Sequence, residues 1–85
     1  MMVATVREIS KWFDTGVAAG AAYMVVWCDT YDYNDYPSYY PSAAEAQAAL
    51  DATGKNMQSA MECYDLNAPK EPQLSARRTW ALAPQ

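Results

Sequence analysis

Residues 22–29, which read AYMVVWCD, constrain the fold of this chain more than any other segment. Apolar side chains fill both alternating sets of positions, with Met24, Val26 and Cys28 in one set and Tyr23, Val25 and Trp27 in the other. Successive side chains of a strand point to opposite faces, so a strand of this composition must be covered on both faces. β-branched and aromatic residues also favour the extended conformation. We therefore expect the central strand of a sheet here.

Two capping patterns predict where helices begin. Thr5 with Glu8, and Ser42 with Glu45, have the spacing of a capping box, in which both side chains satisfy free backbone N–H groups. Behind the first box, helical spacing predicts a helix that Gly16 or Gly20 ends, with a buried stripe of Val6, Ile9, Phe13 and Val17. Behind the second, an alanine-rich segment predicts a helix that Gly54 ends, with an inward stripe of Ala43, Ala46, Ala49 or Leu50, and Thr53.

Residues 57–66 fit either a strand or a continued helix, and their alternation favours a strand that ends at Asp65 with Met61 and Cys63 inward. Residues 67–72 contain two prolines and predict a connector, and residues 73–82 predict a short helix. Eighty-five residues are too few for two ordinary domains, so residues 1–85 are predicted to form one domain. The expected fold class is α+β, with a small antiparallel sheet of about three strands packed by two or three helices in the order α-β-β-α-β-α.

The most unusual segment is residues 29–41, DTYDYNDYPSYYP, with five tyrosines, three aspartates and no basic residue. Asn34, Asp35 and Pro37 favour a turn, and residues 38–40 return as a short strand, which predicts a hairpin with an elaborated loop. So many tyrosines exceed what a small core absorbs, and tyrosine is enriched in binding surfaces. The predicted partner-binding residues are Asp29, Tyr31, Asp32, Tyr33, Asp35, Tyr36, Tyr39 and Tyr40. Packing of Tyr31, Tyr36 and Tyr39 over the helix ends is the open alternative.

The charge distribution points to a basic partner. Net charge is −4, and no basic residue lies between Lys11 and Lys55, so one region of the surface is expected to be uniformly negative. Such a surface disfavours direct binding of nucleic acid and suits a protein with a basic surface, while an ordinary solvated surface is the alternative.

Catalytic and metal chemistry find little support in the composition. The chain has no histidine, so the common catalytic triads and the commonest metal ligand are excluded. A calcium loop that starts at Asp32 lacks the required glycine and distal glutamate. Cys28 and Cys63 form no metal-binding motif and are predicted as buried thiols, with a disulfide left open. We expect a protein that is not an enzyme and needs no metal or cofactor.

Membrane insertion is not expected. The longest uncharged run is the fourteen residues 15–28, short of the roughly 20 that span a bilayer. Arg7, Glu8, Lys11 and Asp14 interrupt the apolar core that a signal peptide would need.

A second candidate site is basic. Arg77 and Arg78, near Trp80, would hold a nucleotide by guanidinium–phosphate pairing and stacking. A charged helix face that pairs with Glu71 or Asp65 is the simpler interpretation.

Three segments resemble a group of small bacteriophage and prophage proteins: GAAYMVVWCDTYDYNDYP at 20–37, GKNMQ at 54–58 and MECYDL at 61–66. The resemblance covers roughly residues 5–80 and is most specific in the Cys-Asp-Thr-aromatic-Asp and Asp-Tyr-Pro segments. It carries over no catalytic residues. It implies a small acidic phage accessory protein of the host bacterial cytoplasm, of a size and charge typical of inhibitors of bacterial defence such as anti-CRISPR proteins.

These observations lead to one main hypothesis, a phage inhibitor that presents its tyrosine- and aspartate-rich loop to a basic surface of a host defence protein. Two alternatives stay open. One is a sponge that sequesters a nucleotide immune signal through Arg77, Arg78 and Trp80, and the other is a homodimeric accessory protein whose exposed aromatics form the dimer interface.

Overall fold

The structure is a computed structural model, and it describes residues 5–52, 57–76 and 79–83. Its elements are α1 (Val6–Ala18), β1 (Tyr23–Asp29), β2 (Asp35–Tyr40), α2 (Ala43–Asp51), β3 (Gln58–Asp65) and α3 (Lys70–Ser75). The three strands form one antiparallel sheet in the order β2-β1-β3. The element order and the small antiparallel sheet confirm the predicted α+β fold, with β1 as the central strand.

Both faces of β1 are buried, as its composition predicts. Met24 and Val26 pack with Ile9 and Phe13 of α1 in one apolar cluster. The other cluster holds Val25, Trp27, Cys63 and Leu50, the last from α2. Met24, Val25, Val26 and Trp27 are each at most 1% exposed. The sheet is therefore a layer between α1 on one side and α2 on the other.

Helix α1 begins with the predicted capping box, in which the Glu8 N–H donates to Thr5 Oγ1 at 3.2 Å. Its buried residues are Ile9, Phe13 and Gly16. Val6 and Val17, which the sequence places in the buried stripe, are 62% and 49% exposed. At about 100° per residue, Val6 and Val17 lie roughly 60° and 80° around the helix from Ile9. They are therefore at the margin of the buried face, and this is why the prediction that they are buried is wrong.

Of the two glycines proposed to end α1, only Gly20 lies beyond the helix, with φ of +80°. That left-handed conformation is the one glycine commonly supplies after a helix. Gly16 lies inside the helix, where an added Cβ would come within 2.8 Å of the Tyr39 ring and 2.7 Å of Leu66 Cδ1. Its role is close packing rather than termination.

The turn between β1 and β2 lies earlier than predicted, in residues 30–33, and Pro37 is inside β2. The Asp29 N–H donates to Asn34 O at 2.9 Å, and hydrogen-bonded pairs alternate along an antiparallel ladder, so Pro37, three residues further on and paired with Val26, is in a pair without ladder bonds. Its missing N–H consequently faces away from β1, at the outer edge of the sheet, where a proline removes no ladder bond. An edge position is what makes this proline compatible with a strand.

Strand β3 confirms the predicted strand, but the burial of its side chains follows the predicted alternation only in part. The pairing register shifts at Met61, because Val26 pairs with Glu62 and Trp27 with Ala60. Cys63 is buried as predicted, whereas Met61 is only half-buried. Tyr64 and Leu66, which strict alternation puts outward, are 2% and 5% exposed because α1 covers their face of the sheet.

Helix α2 begins at Ala43, after the N-cap Ser42, whose Oγ accepts the Glu45 N–H at 3.3 Å; this bond is the one half of the predicted capping box that forms. Ala46 and Leu50 are buried as predicted, while Ala43 is exposed because it lies in the first turn, ahead of the contact with the sheet. The predicted inward Thr53 and the predicted stop at Gly54 lie outside the described residues.

The C-terminal region differs most from the prediction of a helix over residues 73–82. Helix α3 begins earlier in the chain than the predicted helix and is shorter. Pro69 and Pro72 fit this position because both lie at the helix start, where backbone N–H groups need no helical partner. Thr79 and Ala81 instead flank β3: the Cys63 N–H donates to Thr79 O at 2.9 Å, and the Ala81 N–H donates to Cys63 O at 2.8 Å. Trp80 thus forms a parallel bridge with Cys63.

Candidate functional site

The β1–β2 turn and the start of β3 meet at one end of the sheet, and this surface is called the tip. Its members are Asp29, Tyr31, Asp32, Tyr33, Asp35 and Met57. The Tyr33 N–H donates to Asp29 O at 2.7 Å, which closes the turn, and the Thr30 N–H donates to Met57 O at 2.9 Å. The second bond fastens two segments that are distant in the sequence.

Two aspartates shape the turn with their own side chains. Asp29 Oδ1 accepts the Tyr31 N–H at 2.7 Å, and Asp32 Oδ1 accepts the Asn34 N–H at 3.0 Å. Each bond reaches two residues along the chain, which is the geometry of an Asx turn. Asp29 and Asp32 therefore order the backbone of the tip in addition to supplying negative charge.

Three large apolar side chains of the tip face solvent. Tyr31 is 80% exposed, Tyr33 is 55% exposed and Met57 is 56% exposed. Single exposed apolar residues are ordinary, but a group of them at one end of a small protein is typical of an interaction surface.

The backbone of the tip is also unusual. In the described residues, Tyr33 and Met57 are the two non-glycine residues with positive φ, at 62° and 57°. This left-handed conformation costs a bulky residue about 1–2 kcal/mol. Both residues bear that cost with more than half of their surface exposed to solvent.

The other tyrosines predicted to bind a partner belong partly to the core. Tyr36 and Tyr40 pack against the Val25 cluster, and Tyr39 packs against the Met24 cluster. Tyr39 Oη donates to Trp12 O at 2.9 Å, and Tyr36 Oη donates to Gln58 Oε1. Burial raises the pKa of Tyr39, and burial followed by the charge of Asp29 raises that of Tyr36. The alternative of packed tyrosines thus describes Tyr36 and Tyr39, and it does not describe Tyr31.

The carboxylates of the tip converge on Cys28. Burial raises the pKa of this thiol, and Asp35, Asp29 and Asp32 raise it further through their negative charges. Two of these carboxylates belong to direct neighbours of Cys28, because Asp35 pairs with it across the ladder and Asp29 follows it in β1. The same effect keeps Cys28 a thiol rather than a nucleophilic thiolate.

The two cysteines are free, which answers the question of a disulfide. Cys28 shares its face of β1 with Met24 and Val26, whereas Cys63 belongs to the cluster on the opposite face. Side chains on opposite faces of a sheet cannot join in a disulfide.

The edges of the sheet offer little to a pairing strand. Gln73 occupies the outward backbone groups of Asp65: the Asp65 N–H donates to Gln73 Oε1 at 2.8 Å, and Gln73 Nε2 donates to Asp65 O at 2.9 Å. Thr79 and Ala81 occupy those of Cys63. On the opposite edge Pro37 interrupts the row of donors.

The second candidate site is only partly described. Arg77 and Arg78 lie outside the described residues. Trp80 is 39% exposed beside Cys63, which pairs with the middle of β1 rather than with the tip. Among residues 5–52, 57–76 and 79–83, no group of three or more acidic, cysteine or histidine residues is placed to hold a metal ion. None of the helices in these ranges has the length and apolar character needed to cross a bilayer.

Sequence reasoning missed Met57. It is the first residue of the segment 57–66 that is predicted as a strand, and nothing in its local pattern distinguishes it. The pairing of Gln58 with Asp29, continued by the bond from Thr30 N–H to Met57 O, brings it to the tip.

Comparisons of the chain with protein-family models, curated proteins and solved structures found no match.

Proposed function

We propose that this protein is a phage-encoded inhibitor of a bacterial antiphage defence component, similar in action to anti-CRISPR proteins. It works in the host cytoplasm, without catalysis, by binding a basic surface of that component through the tip. The observation that carries the proposal is the exposure of Tyr31 and Tyr33 beside Asp29 and Asp32 on a turn that those carboxylates order.

The side chains of the tip suit a protein partner. Tyrosine offers a large contact area with few rotatable bonds, so little entropy is lost on binding, and aromatic residues dominate interface energetics. Carboxylates beside them accelerate association with a positively charged surface and disfavour an acidic one. Defence proteins that hold nucleic acid carry such positive grooves, and an acidic competitor would occupy them.

The sheet edges support a mode of binding through side chains. Gln73, Trp80 and its neighbours occupy part of the β3 edge, and Pro37 interrupts the β2 edge. These features disfavour docking by strand addition, which requires a continuous row of backbone donors and acceptors. Contact through the side chains of the tip remains the mode that the fold favours.

A plating assay tests the proposal. The protein is produced in hosts that each carry one defence system, and plating of a sensitive phage is measured. The tip variant is Asp29→Asn/Asp32→Asn/Asp35→Asn, in which amide oxygens can retain the turn bonds while three charges are removed. The control, Asp14→Asn/Glu45→Gln/Glu71→Gln, removes three charges outside the tip.

We expect the protein to restore plating against at least one defence, and the tip variant to lose this effect while the control keeps it. Circular dichroism establishes that both variants are folded. Equal protection by the tip variant and the wild-type protein against every sensitive defence would contradict the proposed site. Failure to restore plating in any of the hosts would contradict the inhibitor function.

A further inference from the structure

Met57 is part of the same exposed surface as the tyrosines of the turn. Its carbonyl oxygen accepts the Thr30 N–H at 2.9 Å, so Met57 lies beside Thr30, the residue that precedes Tyr31 in the turn. The next residue, Gln58, pairs with Asp29. Met57 and Tyr31 therefore flank one short stretch of backbone at the end of β1.

Tyr33 and Met57 hold a backbone conformation that is unfavourable for a large side chain. Positions with φ near +60° favour glycine or asparagine, and a large side chain there is an outlier. A buried side chain would offset that cost by its packing, but Tyr33 and Met57 are more than half exposed. Large side chains at these two positions are best explained by contact with something outside the chain.

The chemistry of the surface selects the occupant. Asp29, Asp32 and Asp35 lie within seven residues on the turn and at the strand ends that it joins, so the occupant is positively charged. Arginine fits better than lysine, because a planar guanidinium stacks on a tyrosine ring while it donates in a fork to a carboxylate. The polarisable thioether of methionine packs against its aliphatic stem.

We propose that Tyr31, Tyr33 and Met57 form a single docking patch for arginine side chains of a protein partner, with Met57 as a specificity-determining residue. This inference rests on the proposed function and narrows its basic partner to an arginine-bearing surface. Tyr33 and Met57 are kept at a cost to folding because they contribute to that contact.

The test uses the whole protein with deca-arginine and deca-lysine peptides as probes, and calorimetry at physiological ionic strength as readout. Wild-type protein binds deca-arginine about threefold or more tightly than deca-lysine, in keeping with the energy of cation–π contacts. Met57→Asn and Tyr33→Asn each weaken binding of deca-arginine and leave binding of deca-lysine nearly unchanged. Val17→Ala, which trims a 49% exposed apolar residue of α1, changes neither affinity.

Thermal unfolding of the same variants separates binding from folding. Because asparagine tolerates the left-handed conformation, Met57→Asn and Tyr33→Asn raise the Tm by roughly 4–8 °C in a domain of this size. Weaker arginine binding in a more stable protein is the signature of a residue kept for contact. Weaker binding together with a lowered Tm would overturn the inference, because loss of structure would then account for it.

Equal affinity of the wild-type protein for the two peptides would also overturn it, since charge alone would then explain binding. That result leaves the proposed inhibitor function standing if plating still depends on the tip carboxylates. Conversely, an arginine preference without any effect on plating sustains the docking patch and contradicts the inhibitor function. The two failures are thus distinguishable.

Discussion

Gly16 of α1 packs against the ring of Tyr39 in β2, so closely that a Cβ at Gly16 would lie 2.8 Å from two ring atoms. Tyr39 also donates its hydroxyl to Trp12 O, one turn earlier in the same helix. This contact brings α1 directly onto the edge strand that leads from the tip. The helix and the tip are therefore linked through the hairpin.

Replacement of Gly16 by alanine should lower the free energy of unfolding by about 1–3 kcal/mol, because the new methyl group overlaps Tyr39 and Leu66. Alanine favours a helix over glycine by about 1 kcal/mol, so the substitution would raise the free energy of unfolding if no side chain lay close to Gly16. Urea unfolding measures the difference, with Ala18→Gly as a control for helix propensity. A more stable Gly16→Ala protein would show that the close contact is absent.

Gln73 is expected to protect the β3 edge with its side-chain amide. Gln73→Ala leaves the outward N–H and C=O of Asp65 without this partner and should cost about 1–2 kcal/mol of stability. Gln73→Glu retains the acceptor and loses the donor, so its stability should lie between that of the wild type and that of Gln73→Ala. Hydrogen exchange at the Asp65 amide should accelerate in Gln73→Ala and much less in Gln73→Glu. Unchanged exchange in both would contradict the assignment.

The two thiols should react with a labelling reagent at different rates, and the rate at Cys28 should depend on the charge of Asp35. Cys28 is partly exposed and Cys63 is fully buried, so a thiol reagent should label Cys28 first in the folded protein. Asp35→Asn removes a charge that raises the pKa of Cys28 and should therefore accelerate its labelling at neutral pH. Mass spectrometry of the labelled peptides reads out both rates. Faster labelling of Cys63 than of Cys28 would contradict the placement of the two residues on the sheet.

Alkaline pH should destabilise the fold. Burial raises the pKa of Tyr64, with a further increase from its hydrogen bond to Glu62, and burial raises those of Tyr36 and Tyr39. In the unfolded chain these groups ionise near pH 10, so above that pH the unfolded state loses protons first and stability falls. Below pH 10 the stabilisation that comes from these three protonated tyrosines is fully present. Unfolding measured against pH should show this decline, and Tyr64→Phe should make it shallower; a decline of unchanged slope would contradict the role of Tyr64.

Local patterns in the sequence were enough to predict the main elements. Two-sided apolar character identified β1 and its burial, and the spacing of Thr5 with Glu8 identified the start of α1. In both cases the determinants lie within one segment of chain. The two hydrogen bonds between backbone and aspartate side chains in the turn are also local, and they follow from the Asp-x-Tyr and Asp-x-Asn spacing.

The features that the sequence did not reveal depend on contacts between distant segments. The register shift at Met61 arises from pairing with β1, and the extended path of Thr79 and Ala81 arises from the free edge that Cys63 presents. The division of the tyrosines into packed and exposed residues depends likewise on where α1 and α2 lie. Met57 joins the tip through the pairing of β3 with β1 and its bond to Thr30.

The central claim is that the tip binds a defence protein of the host. The most direct measurement is quantitative capture from a lysate of a defence-carrying host. Three proteins are immobilised: the wild type, the tip variant Asp29→Asn/Asp32→Asn/Asp35→Asn and the control Asp14→Asn/Glu45→Gln/Glu71→Gln. Mass spectrometry then identifies the bound proteins and the extracted small molecules. We predict a defence protein in stoichiometric amount on the wild-type and the control, and its loss from the tip variant. Recovery of that protein in equal amount on the tip variant, or of a nucleotide without any protein, would contradict the account.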